Sequence, residues 1–98
     1  MAIEITVRHL EIGDAIKAQA HEKAERLAEK FPNIEHIHTV LDKDGPFFTA
    51  AVDIQRGHSG KVEASGKTNG VIEALQDAFE KAEAQLRKSE QRMRESRK

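Results

Sequence analysis

The sequence predicts an α+β fold with the element order βαβββα, in which a four-stranded mixed sheet carries two helices packed side by side on one face. Three observations support this: the opening segment alternates apolar and polar residues, two segments repeat apolar residues at helical spacing, and polar glycine-containing turns divide the middle of the chain. A helix between the first two strands favours a right-handed parallel crossover, whereas the later hairpins make the other strand pairs antiparallel. A chain of 98 residues is expected to form a single domain, residues 1–98.

The first two elements follow from periodicity. Residues 2–8 alternate as a half-buried strand does. A helix is then predicted from a cap at Gly13 or Asp14 to about Lys30, because Pro32 stops it. The positions that this helix is expected to bury are Ile16, Ala20, Ala24 and Leu27.

Three more strands are predicted in the middle of the chain. They cover residues 34–41, 47–54 and 61–65, and each has apolar residues at alternate positions. Polar turns at residues 42–46 and 55–60 separate them, since glycine, proline and aspartate tolerate the backbone angles of tight turns.

The last third of the chain, residues 69–98, predicts one long helix that ends in a basic, frayed tail at about 88–98. Its apolar face is expected to comprise Val71, Leu75, Ala78, Phe79, Ala82, Leu86 and Met93. At about 100° per residue, Lys81, Lys88 and Arg92 align beside that face. We call these three residues the α2 row.

The first helix carries a comparable set of cations beside its own apolar face. Lys23, Arg26 and Lys30 lie on one flank, and we call them the α1 row. If the two helices lie side by side, the α1 row and the α2 row are predicted to border one shared groove. The alternative is that both rows are ordinary solvated lysine faces.

Charge and composition limit the classes of function. The net charge of −1 hides an asymmetry, because residues 1–86 carry ten basic and 15 acidic side chains whereas residues 87–98 carry six and two. Such separation favours a local anionic partner. The absence of cysteine excludes disulfides and thiolate chemistry. No apolar run is long enough for a membrane span or a secretion signal, so a cytoplasmic protein is expected.

Candidates for catalysis are few. His36 and His38 share a strand face, but a metal site would need a third ligand, so an exposed pair without metal is expected. Ser59 and Ser65 lack the glycine-flanked elbow of hydrolases, and residues 57–60 are too short for a phosphate-binding loop. The sequence therefore predicts no enzyme, no cofactor, no metal and no small-molecule substrate.

Three segments, residues 5–17, 62–67 and 80–88, together resemble the ribosome hibernation-promoting factor and ribosome-associated translation inhibitor family. The resemblance covers nearly the whole chain. It implies a βαβββα domain that binds the small ribosomal subunit in the decoding channel, where it blocks messenger and transfer RNA and inactivates ribosomes under stress. The implied partners are the small subunit and its RNA, and the chain is expected to be monomeric away from the ribosome.

The resemblance also implies RNA-binding residues. The positions that match basic or polar positions of the family are Arg8, Lys23, Arg26, Lys81, Gln85 and Lys88. Lys30 and Arg92 join them from their places on the two helices, and Arg87 is expected to compensate for a family arginine that is replaced by Ala84. A further departure lies at residues 70–72, where the family usually has Asp, Met and Tyr and this chain has Gly, Val and Ile, which weakens the helix cap.

The expected mechanism is recognition of RNA shape and phosphate groups. The chain has no tyrosine or tryptophan, and Phe47 is the only plausible exposed residue for stacking on a base. The main alternative is a protein-binding regulator whose basic C-terminal helix docks on an acidic partner; a metal-dependent enzyme that uses His36 and His38 is a remote third. The sequence leaves open whether such a protein promotes ribosome pairing, and whether the chain is a natural short form or a truncated one.

Overall fold

The computed structural model describes residues 2–57 and 60–96, with side chains described as far as Glu90. The predicted order βαβββα is confirmed. Its elements are β1 Ala2–Val7, α1 Asp14–Lys30, β2 His36–Asp44, β3 Phe47–Gln55, β4 Lys61–Thr68 and α2 Val71–Ser96.

The four strands form one sheet in the order β1-β2-β3-β4. The strands β1 and β2 are parallel, and β2–β3 and β3–β4 are antiparallel, as predicted from the helical crossover and the two hairpins. Because consecutive strands are neighbours throughout, β1 and β4 are the two edges of the sheet among the described strands.

The turn between β2 and β3 is shorter than predicted. Instead of occupying residues 42–46, it consists of Gly45 and Pro46, and pairing of β2 with β3 continues to Asp44 and Phe47. Gly45 has a φ of 60°, and proline fixes its own φ near −65°, a combination that matches a type II′ hairpin turn. Asp42, Lys43 and Asp44 are therefore polar residues of strand β2, not of the turn.

The start of α2 also differs from the prediction, by two residues. The Thr68 hydroxyl donates to the Gly70 carbonyl oxygen at 2.7 Å, and the Gly70 N–H lies 3.2 Å from the same hydroxyl. These contacts hold residues 68–70 as a turn, so the helix begins at Val71. At the other end, α2 continues to Ser96, and the basic tail predicted at about 88–98 falls mostly on side chains outside the described residues.

Both helices cover the same face of the sheet and bury one core. Ile37, Leu41 and Ile54 are fully enclosed beneath them, as are Ala20 and Ala24 of α1. The α2 helix contributes Ala74, Leu75, Ala78, Phe79, Ala82 and Leu86. It lies across β3 and β4, while α1 lies next to β1. The predicted side-by-side packing is confirmed.

No helix of the described residues covers the other face of the sheet. There the rings of His36 and His38 stack with their centroids 6.3 Å apart, and the Thr6 hydroxyl lies 2.8 Å from His38 Nε2. His36 Nε2 lies 3.0 Å from a carboxylate oxygen of Glu4. The prediction of an exposed pair is wrong, because neighbouring strands leave both histidines half-buried. No group of described residues has the arrangement of a metal site.

None of the helices in the described part of the chain combines the length and apolar character that a membrane span requires.

Candidate nucleic-acid interface

The α1 row lies along the flank of α1 that faces α2. Lys23, Arg26 and Lys30 line a shallow groove of about 270 Å³ between the two helices, with Leu27 at its base. We call this the α1–α2 groove. Arg26 is largely exposed and forms an ion pair of 2.6 Å with Glu22 of its own helix, four residues earlier. The α1 row therefore lines one wall of a groove between the helices, as predicted.

The opposite wall is not the predicted one. The α2 side chains in the α1–α2 groove are Gln76, Glu80 and Glu83, above the buried ring of Phe79. Glu83 forms an ion pair with Lys30 across the groove at 3.0 Å and with Arg87 of its own helix at 2.7 Å. The groove thus joins a basic wall to an acidic wall, and the prediction that both cationic rows border it is wrong.

The described members of the α2 row, Lys81 and Lys88, lie on the other flank of α2, beside strand β4. Lys81 Nζ donates to the Ser65 carbonyl oxygen at 3.2 Å and pairs with Asp77 at 3.0 Å. Gln85 Nε2 donates to the Glu63 carbonyl oxygen at 2.9 Å. The apolar stripe of α2 has two flanks, and Lys81 and Lys88 lie on the flank next to the sheet edge, not on the flank next to α1.

Lys88 is exposed, and lies seven residues after Lys81 on the same flank. It forms no ion pair with any described side chain. Arg87 is exposed but points its guanidinium toward Glu83, and so belongs to the flank that faces α1. The Arg92 side chain, predicted to extend the α2 row, lies outside the described residues.

Arg8 stands apart from both rows. It follows β1, is exposed, and donates its backbone N–H to the Leu41 carbonyl oxygen at 2.8 Å. The neighbouring Asp42 accepts hydrogen bonds from the His9 ring at 2.8 Å and from the Lys43 backbone N–H at 2.7 Å, and these contacts, with a smaller contribution from the charge of Arg8, lower the pKa of Asp42. The predicted residues therefore form two separate rows and an isolated arginine.

Sequence reasoning missed two kinds of residue. Glu80 and Glu83, which form the acidic wall of the α1–α2 groove, are the first kind; Lys30 and Glu83 are 53 residues apart, so no local pattern indicates their contact. Arg56, in the predicted turn at 55–60, is buried and donates to the Ser89 hydroxyl at 3.0 Å, which ties the β3–β4 turn to α2.

Phe47 is exposed as predicted, and Lys67 Nζ lies 5.4 Å from its ring centroid.

Comparison with known proteins gives a consistent result. Among curated proteins, none matches this chain. A solved structure of a ribosomal subunit interface protein from Coxiella burnetii is similar in fold, with a TM-score of 0.84, 18% identity, and coverage of 92% of this chain and 98% of that one.

The N-terminal domain of Protein Y from Thermus thermophilus is also similar, with a TM-score of 0.78 and 26% identity, over 90% of this chain and 98% of that one. The family model described as sigma 54 modulation protein / S30EA ribosomal protein matches residues 3–94. The chain therefore belongs to this family of ribosome-associated modulators, which are not enzymes.

Proposed function

We propose that this protein binds RNA of the small ribosomal subunit through the α1 row and the α2 row, occupies the decoding channel, and so holds ribosomes inactive in the cytoplasm under stress. Membership of the family supports a ribosomal partner. The observation that carries the proposal is that two cationic rows are mounted on helices whose backbones share one buried core. Such rows present charges at fixed separations, which suits the phosphates of folded RNA.

The cations that already have partners remain available to RNA. Lys30, Arg26 and Lys81 each form an ion pair, but their side chains stay more than half exposed. Exposed ion pairs are worth only about 0–1 kcal/mol, so exchanging a carboxylate for a phosphate costs little. Lys88 pairs with no described side chain, so no ion pair with one of these has to break when it meets a phosphate.

The acidic wall of the α1–α2 groove restricts which RNA is accepted. Glu80 and Glu83 lie between the two cationic rows, so a phosphate backbone that crossed directly from one row to the other would meet two carboxylates. Like charges brought together in this way disfavour the wrong partner. RNA whose phosphates form two separated tracks fits the protein, whereas a continuous single track does not.

The test is co-sedimentation of the purified protein with small subunits in sucrose gradients over a range of salt concentrations. If about six phosphates are neutralised, the logarithm of the affinity falls against the logarithm of salt with a slope of about −4 to −5. A slope near zero would contradict phosphate recognition. Nuclease treatment is the control, because an acidic protein partner would survive it and RNA would not.

A further inference from the structure

The outer edge of β4 presents backbone groups that pair with no other strand of the described sheet. In an antiparallel pair, the N–H and C=O of one residue point to the same side of the strand, and alternate residues point to opposite sides. The carbonyl oxygens of Glu63 and Ser65 accept hydrogen bonds from α2 side chains, so these residues direct their backbone groups away from β3. The same alternation directs the N–H groups of Glu63, Ser65 and Lys67 outward.

Two side chains of α2 occupy these carbonyl oxygens. Lys81 donates to the carbonyl oxygen of Ser65, and Gln85, one helical turn later, donates to the carbonyl oxygen of Glu63, two residues earlier on β4. The spacing fits, because residues two apart on a strand are separated by about 6.7 Å and one helical turn rises about 5.4 Å. Asp77 holds the Lys81 ammonium group from the preceding turn. An incoming strand would need the same acceptors.

We infer that the β4 edge is a strand-pairing surface for a second copy of this chain, and that Lys81 and Gln85 keep it closed. The pairing is antiparallel about a two-fold axis, with Ser65 opposite Ser65 of the second copy. This inference goes beyond the proposed function, since it needs no RNA. It gives Lys81 and Gln85 a role in the free protein that is separate from phosphate binding.

The charges along β4 select this register. With Ser65 opposite itself, Glu63 lies opposite Lys67 of the second copy, and the pair occurs twice. Within one chain Lys61 pairs with Glu63 at 2.9 Å, and Lys67 pairs with Asp44 at 3.0 Å. On each side of the axis the charged residues would therefore be Lys61 and Glu63 of one copy, followed by Lys67 and Asp44 of the other, so that positive and negative charges alternate. Opposite charges on facing strands attract.

The neighbouring registers lack this double attraction. Sliding one strand so that Glu63 faces Ser65 brings Lys61 opposite Lys67, and sliding it further brings Glu63 opposite itself, so both place like charges directly across the new strand pair. Sliding it the other way sets Ser65 opposite Lys67 and Glu63 opposite Asn69, which forms no pair of opposite charges across the strands. Charge complementarity thus favours one partner, a second copy of β4, in one alignment.

The first experiment removes the two closing side chains in the variant Lys81→Ala/Gln85→Ala and measures its mass by sedimentation velocity without RNA. Alanine is the best helix former, so the substitutions preserve α2. We expect self-association at least about tenfold tighter than in the unmodified chain. The matched control is Gln76→Ala/Glu80→Ala, two exposed residues at the same spacing on the other flank. A variant that stays monomeric to about 1 mM, or a control that associates equally, would overturn the inference.

The second experiment tests the register. Adding Glu63→Lys to the double variant sets lysine opposite Lys67, and we expect the dimer to dissociate. Adding Glu63→Lys together with Lys67→Glu restores opposite charges, and we expect the dimer to return. Association that is unaffected by Glu63→Lys would show that another surface mediates it, and would overturn the inference.

A third measurement detects even a small dimer population. The chain has no cysteine, so Ser65→Cys introduces a single thiol at the two-fold axis. Facing residues of paired strands lie within the range of Cα separations that a disulfide can span. With diamide as the oxidant, we expect covalent dimers to form about tenfold faster in Ser65→Cys/Lys81→Ala/Gln85→Ala than in Ser65→Cys alone. Equal rates would overturn the inference.

Discussion

The two flanks of α2 differ in charge and in what they contact. The flank toward α1 carries Glu80 and Glu83, and it meets the cations of the α1 row across the α1–α2 groove. The flank toward β4 carries Lys81 and Lys88, and its nearest backbone is the open edge of the sheet. Each flank of α2 therefore has a dominant charge: carboxylates predominate toward α1, where Arg87 pairs with Glu83, and cations predominate toward β4, where Asp77 pairs with Lys81.

This difference shows why an apolar stripe alone does not locate a binding surface. Both flanks lie beside the same buried face of α2, and both are exposed on the helical wheel. One of them is used to join the helices, with Glu83 accepting from Lys30 and Arg87 at once. The other closes a strand edge and leaves Lys88 with no ion pair among the described side chains.

The largest expected effect comes from reversing charge on the β4 flank. We expect Lys81→Glu/Lys88→Glu to weaken small-subunit binding by about 100-fold and to reduce the salt slope by about 2, because two phosphate contacts are lost. Co-sedimentation across salt concentrations measures both quantities. Lys88→Glu alone leaves the contacts between α2 and β4 intact, and we expect it to weaken small-subunit binding by about tenfold.

The comparison variant on the other flank is Glu80→Lys/Gln76→Lys, which adds positive charge beside the α1 row. It changes the net charge by about +3, against −4 for the first variant, so if binding tracked overall charge alone it would strengthen binding by nearly as much as the first weakens it. An equal loss of binding in both variants would instead indicate that either reversal disturbs the fold, which thermal unfolding would reveal.

The next largest effect is expected where α2 meets β4. A Cβ atom on Gly66 would lie 2.7 Å from the Ala74 carbonyl oxygen and 2.9 Å from the Asp77 Cβ. Both are too close, so Gly66→Ala must push the helix away from the strand, at a cost of about 1–3 kcal/mol in the free energy of unfolding.

Denaturant unfolding measures this change, and Ser65→Ala is the control, because that neighbouring side chain is exposed and its loss should change stability by less than about 0.5 kcal/mol. Equal stability of Gly66→Ala and the unmodified chain would mean that α2 does not approach β4 as closely as described.

A smaller effect is expected on the α1 flank. Glu83→Gln removes the carboxylate that accepts from Lys30 and Arg87. Exposed ion pairs contribute little, so the free energy of unfolding should fall by less than about 1 kcal/mol. Small-subunit binding should tighten a few-fold, because Lys30 no longer has to leave a carboxylate. Weaker binding of Glu83→Gln would contradict a role for Lys30 in phosphate contact.

The smallest effect concerns Asp42, which belongs to neither flank. Its hydrogen bond from His9 lowers its pKa below the ordinary value of 3.8 in the folded protein. Because its folded pKa is lowered, the ionised Asp42 carboxylate stabilises the folded protein at pH values above its unfolded pKa of about 3.8. This stabilisation is lost as the pH falls from about 3.8 through the lower pKa of the folded state.

An NMR titration of the Asp42 carboxyl carbon should therefore give a midpoint below 3.8, and His9→Ala should raise it. An unchanged midpoint in His9→Ala would mean that the contact between His9 and Asp42 does not form in solution.

Much of the fold could be predicted because its signals are local. Alternation in residues 2–8 and helical spacing around Ala20 and Leu75 each report burial within a few residues, and the prediction of element order needed nothing more. The errors lie where polar residues continue a strand, as at Asp42–Asp44, and where a turn delays a helix, as at Gly70. In the first case backbone pairing with β3 extends the strand, and in the second the Thr68 hydroxyl contacts the Gly70 backbone ahead of the helix.

The sequence by itself determined the order of elements, the two apolar stripes, the cationic content of each helix and the family, because all of these are written in residues near one another in the chain. Only the tertiary structure decided which flank of α2 faces α1, that Glu83 contacts Lys30, and that Lys81 and Gln85 cover the β4 edge. The physical reason is that a helix can satisfy its apolar stripe while presenting either flank to a given neighbour. Its rotation and position are fixed by distant contacts, such as the close approach of Ala74 to Gly66.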